Sequence, residues 1–191
     1  MDFKIIRGSF PILVSAPHVT PHLRPEFNVK SPKLNEPNTD LIVKILCQKT
    51  GCFGVYATKF QKIDPNWYKK SPYKRAIKKL VEENNIRFVL DIHGAGKNRP
   101  FLIEYDDFKR GKIIREIEEN LKLCFKKIGF SEKEISHGLL HKDQQLTITE
   151  FCIDELKIPA LQLEINRKIR DPKNPRFTNL LSALECFVRS F

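Results

Sequence analysis

Three short apolar runs constrain this chain most: Pro11 to Ala16 (PILVSA), Cys52 to Ala57 (CFGVYA) and Arg87 to Ile92 (RFVLDI). Each is too short for a buried helix and is bounded by turn or charged residues, so each reads as a buried strand. Pro159 to Ile165 (PALQLEI) is a fourth run with clearer alternation, and Phe101 to Tyr105 (FLIEY) a fifth.

Helical patterns lie between them. Asn38 or Thr39 opens one through Leu41, Ile42, Ile45 and Leu46, and Gly51 stops it. Ser71-Pro72 opens a second, carrying Ala76, Ile77 and Leu80. Phe108 to Ile128 places Ile113, Ile114, Ile117, Leu121 and Phe125 on one stripe. Thr147 to Leu156 and Pro175 to Phe191 supply the last two. Strands alternating with helices imply an α/β protein with a mostly parallel sheet covered on both faces. No internal repeat or linker divides the 191 residues, so one domain over 1–191 is expected.

The five cysteines are odd in number and form no C-x-x-C pair, so no disulfide framework or cysteine zinc knuckle is expected. Cys47 and Cys186 sit in apolar runs and read as small core residues in a reducing cytosol. Asp2, Lys4 and Arg7 interrupt any leader-like apolar run, and no stretch approaches a membrane span. A cytoplasmic protein is therefore expected. The net charge of +11 comes from lysines spread along the chain. Solvated helix faces account for it first, and a funnel for an anionic substrate second.

Two histidines follow strand runs directly: His18 after PILVSAP and His93 after RFVLDI. Carboxyl ends of parallel strands form the ligand crevice of such sheets, and imidazole is a common zinc ligand. Either histidine alone would merely cap a strand; the matched pair suggests a metal site. Asp91, two residues before His93, would share its face and could orient a ligand ring. A third ligand must come from elsewhere. The loop after His18 offers Glu26, Glu36 and Asp40, and spacing does not choose among them. Glu164 is the most unusual carboxylate, because it lies inside an apolar strand where an unpartnered charge is costly. Near zinc it would be a general base; otherwise it pairs with Arg167 or Arg170. Those arginines could instead hold a substrate carboxylate.

Other motifs are incomplete. Gly94-Ala95-Gly96-Lys97 lacks the full phosphate-loop spacing, and Ser15 and Ser136-His137 lack a nucleophile elbow. Asn66-Trp67-Tyr68 and Tyr73 could stack bases, but no basic stripe accompanies them.

Four segments, in order, resemble the N-formylglutamate amidohydrolase family within the zinc carboxypeptidase-like group: Ser15-Ala16-Pro17-His18, Thr39-Asp40, Asp91-Ile92-His93-Gly94 and Leu163-Glu164-Ile165-Asn166-Arg167. The resemblance implies a three-layer α/β/α sandwich around a mixed, mostly parallel sheet. It implies one zinc ion held by His18, Glu36 and His93, with Glu164 as the catalytic base. It also marks His22, Arg24 and Asn66 as candidate substrate or oxyanion contacts. The short H-x-x-E ligand pair of carboxypeptidases is missing, since position 21 is Pro21. The expected activity is amide hydrolysis of a small anionic N-acyl amino acid or peptide-like substrate. The alternatives are a nucleic-acid-binding protein and an inactive family member that binds an acylated ligand.

Overall fold

A computed structural model describes residues 2–24, 32–106, 112–138 and 146–191. Glu26 and the expected helix start at Phe108 lie outside them. The elements are β1 (Phe3–Ile6), β2 (Phe10–Ala16), α1 (Thr39–Thr50), β3 (Cys52–Ala57), α2 (Pro72–Asn84), β4 (Phe88–Ala95), β5 (Ile103–Asp106), α3 (Lys112–Lys127), β6 (Ile135–His137), α4 (Ile148–Asp154), β7 (Ala160–Asn166), α5 (Arg167–Arg170) and α6 (Arg176–Val188).

The strands form one sheet in the order β1-β3-β2-β4-β7-β5-β6. β3, β2, β4 and β7 run parallel. β1 pairs antiparallel with β3, and β5 antiparallel with β7, while β6 runs parallel to β5. The sheet is thus mixed and mostly parallel. One face packs on α1, α3 and α6 through Ile42, Leu46, Leu121, Phe125, Leu180 and Leu184. The other packs on α2 and α4 through Tyr73, Ile77, Leu80, Ile148 and Cys152. That makes the expected three layers.

Two helix signals, Gly51 and Ser71, act as read. Gly51 ends α1 at φ 72, donating its N–H to the Cys47 carbonyl. Ser71 caps α2 by accepting from the Lys74 N–H. Thr147 and Glu150 form a reciprocal capping box on α4. At α1 the N-cap Asn38 makes no side-chain bond. Instead Thr39 Oγ1 donates back to the Glu36 carbonyl at 2.8 Å, tying that loop to the helix.

Two expectations need correction. β4 continues past Ile92 to Ala95, because Gly94 and Ala95 pair with Ile165 and Asn166 of β7. His93 therefore lies within a strand. Cys124 and Cys186 are joined in a disulfide between α3 and α6, with Cα atoms 5.7 Å apart. They are 62 residues apart in sequence, and only helix packing brings them together. The cysteines thus lose their force as evidence for a reducing compartment. Among the described residues, no helix is long and apolar enough to cross a membrane.

Candidate metal centre

The site begins where β2, β4 and β7 end side by side. His18 stands two residues beyond β2, and His93 on β4 is in register with Glu164 on β7. Glu36 arrives from the loop before α1, its N–H donating to the His18 carbonyl at 2.8 Å. His18, Glu36 and His93 are buried, and one ligand atom from each lies within 4.8 Å of the others.

Each imidazole is held from behind. His18 Nε2 lies 2.7 Å from Asp64 Oδ1, and His93 Nε2 lies 2.9 Å from Asp91 Oδ2. His93 Nε2 is also 2.9 Å from Asn66 Nδ2. It cannot accept from that amide while donating to Asp91, and the carboxylate, as the stronger acceptor, fixes the tautomer. With Nε2–H directed at an aspartate, each ring in its neutral form keeps its lone pair on Nδ1. Those atoms face Glu36, His18 Nδ1 at 3.1 Å from Oε1 and His93 Nδ1 at 3.2 Å from Oε2. Two lone pairs and a carboxylate repel one another unless a proton or a cation lies between them. This donor set fits zinc: two imidazoles and one carboxylate, with carboxylates behind both rings.

A second triad, His18, His22 and Asp64, is also compact. It is the poorer cation site, because Asp64 is already used. Oδ1 accepts from His18 and from the Asn66 N–H, while Oδ2 accepts from Arg24 Nε. A cation there would compete with the Arg24 guanidinium.

The electrostatics follow from this arrangement. Burial opposes charge on Asp64, but His18 and His22 outweigh it and hold the carboxyl far below the usual range. Burial likewise opposes charge on Glu36, and His18 and His93 still hold it well below that range. His93 moves the other way. Burial disfavours its cation, yet Asp91 and Glu36 raise its pKa well above the ordinary value. For Glu164, burial and then the Glu36 charge push the pKa up. Two carboxylates at one site are thus driven apart, one toward permanent charge and one toward proton exchange.

A cavity of about 240 Å³ opens beside these groups. Besides His18, Glu36, His93 and Glu164 it is lined by Arg24, Lys33, Asn66, Arg99, Thr147 and Gln162. Arg24 and Asn66 thus stand on the cavity wall. Arg24 lies over the Trp67 ring, and Asn66 Oδ1 accepts from the Ile148 N–H at 2.9 Å. Asp40 is elsewhere, on α1, paired with Lys44.

Three expected substrate contacts do not line this cavity. His22 is fully buried and stacks behind His18, ring centroids 3.9 Å apart. Arg170 is buried beneath the strand ends. Its guanidinium donates to the carbonyls of Ile165, Pro37 and Ala95, so it braces backbone. That brace explains Gly94, where a Cβ would meet the Arg170 guanidinium at 2.4 Å. Arg167 is exposed and faces a neighbouring surface depression.

Sequence reasoning missed Lys33, Arg99, Thr147 and Gln162; it placed Asp64 only in a segment, Asp64-Pro65-Asn66, that resembles pocket-lining stretches, and gave it no role behind His18. Gln162 had a legible signal, since strand alternation puts it on the face of Glu164. Lys33 and Arg99 lie on loops and carried none.

No family model matches the chain, and no curated protein matches it either. Solved structures do. A gene product of Agrobacterium tumefaciens superposes with TM-score 0.72 at 11% identity, covering 98% of this chain and 94% of that one. N-formylglutamate amidohydrolase from Ralstonia eutropha JMP134 gives 0.70 at 15% identity, covering 98% and 96%. The chain has the N-formylglutamate amidohydrolase fold. A metallo-carboxypeptidase from Burkholderia cenocepacia shares it, with TM-score 0.62 at 12% identity over 94% of this chain and 56% of that one.

Proposed function

We propose that this chain is a zinc-dependent hydrolase that cleaves the amide bond of a small anionic N-acyl amino acid or peptide-like compound. One observation carries the reading. The Nδ1 atoms of His18 and His93 converge on Glu36 while Asp64 and Asp91 hold both Nε2 atoms, and Glu164 stands in register with His93. The shared fold with an amidohydrolase and a metallo-carboxypeptidase supports it.

His18, Glu36 and His93 would hold the ion. Zinc bound there supplies Lewis acidity and makes water more acidic. The chain's own groups do the rest. Glu164 accepts a proton from the attacking water as its oxygen bonds the carbonyl carbon. Arg24 and Asn66, on the cavity wall, stabilise charge developing on the carbonyl oxygen. Glu164 then passes its proton to the nitrogen as the C–N bond breaks, leaving an acid and an amine. Lys33 gives the same wall a positive charge that favours anionic substrates, while Arg99 is already paired with Glu104 at 3.3 Å.

The test is hydrolysis of a panel of N-acyl amino acids, with and without a side-chain carboxylate, by the wild type and by Glu164→Gln. The acidic members should be cleaved fastest. The variant should lose at least about 10²-fold in kcat while its zinc content is unchanged. Wild-type activity in Glu164→Gln would refute the role of Glu164, and no cleavage of any member by the zinc-loaded wild type would refute the hydrolase.

A further inference from the structure

A second depression adjoins the carboxyl ends of β4 and β7. It measures about 490 Å³, roughly twice the cavity beside Glu164, and its wall carries Lys97, Arg167, Lys168 and Lys173 against the single carboxylate of Asp171. Its position follows from the strands. Lys97 stands two residues beyond Ala95, the partner of Asn166, and Arg167 follows Asn166 directly. Arg167 is three residues from Glu164, just past the end of β7, so their Cα atoms lie at most about 11 Å apart.

The cations in this depression differ from most of those on the longer helices. Helix cations are mostly neutralised: Lys44 by Asp40, Lys49 and Arg189 by Glu185, Lys78 by Glu82 and Lys79 by Glu83. Among the described residues, none of Lys97, Arg167, Lys168 and Lys173 has an ion-pair partner. Asp171 Oδ1 is instead engaged by the Lys173 backbone N–H at 3.0 Å. Four like charges around one concavity repel one another, and a bound polyanion relieves that repulsion.

We infer that this depression is an exosite for the distal carboxylates of an acidic peptide chain whose scissile amide lies beside Glu164. The inference rests on the hydrolase reading and extends it from a single N-acyl amino acid to an oligomer. A chain spanning about 11 Å needs roughly three extended residues beyond the cleaved bond. Carboxylates fit this wall better than a nucleic acid does, because no aromatic side chain lines it for base stacking.

The experiment titrates fluorescent hexaglutamate, and separately labelled oligothymidylate, into zinc-loaded Glu164→Gln protein, alone and with Lys97→Glu plus Lys173→Glu added. All these positions are solvent-facing apart from the partly buried Glu164, and circular dichroism checks each fold. Hexaglutamate affinity should fall on the order of tenfold on double charge reversal. In a Glu164-intact background, the same reversal should leave hydrolysis of N-acetylglutamate within about twofold, since such rim charges lie outside the small cavity. Unchanged hexaglutamate affinity overturns the exosite, as does tighter binding of oligothymidylate than of hexaglutamate. Charge-dependent hexaglutamate binding without hydrolysis of any amide by the wild type overturns the hydrolase reading and leaves the acidic-chain site standing.

Discussion

The two faces of the central sheet share one backbone and differ sharply in chemistry. Toward α1, α3 and α6, Phe88, Leu90 and Ile92 of β4 and Leu161, Leu163 and Ile165 of β7 are apolar along their whole length and almost wholly buried. Toward α2 and α4, the same strands begin with Val89 and Ala160 in the second core and then turn polar, with Asp91 and His93 on β4 and Gln162 and Glu164 on β7. β5 continues the polar row with Glu104 opposite Glu164. The continuous face supplies stability, and the divided face pairs stability at its amino end with chemistry at its carboxyl end. Strand alternation allows both, because neighbouring residues never share a face.

This contrast predicts separable effects. The largest is on stability. Leu163→Ala removes a fully buried side chain from the continuous face, directly before Glu164 on the other. It should cost about 2–5 kcal/mol of unfolding free energy, read by denaturant titration, with zinc stoichiometry unchanged. Loss of zinc from the folded variant would show that the faces are not independent. A smaller effect is expected on the polar face. Asp91→Asn removes the carboxylate behind His93 and should weaken zinc affinity about 10–100-fold, measured by chelator competition. Unaltered affinity would make Asp91 only a packing group.

Much of this division was legible in the sequence, and the reason is physical. Short apolar runs and cap residues are local signals, so β2, β3, β4 and β7, both ends of α1 and the start of α2 could be read directly. His18 and His93 stood out because each followed such a run. β1 and β6 could not be read, because four and three residues are too few to show a period. The Cys124–Cys186 bond and the position of Asp64 behind His18 depend on long-range packing, which has no local signature. Arg170 misled for the opposite reason. A charged residue just past a strand end looks available to substrate, but its guanidinium is spent on backbone carbonyls.

The central claim is that His18, Glu36 and His93 hold one cation, and elemental analysis tests it most directly. Wild type, His18→Ala and His93→Ala would each be saturated with zinc, desalted and measured beside a circular dichroism spectrum. About one zinc per chain is expected in the wild type, and far less in either folded variant. A folded wild type that retains no zinc, or variants that retain as much as the wild type, would contradict the account.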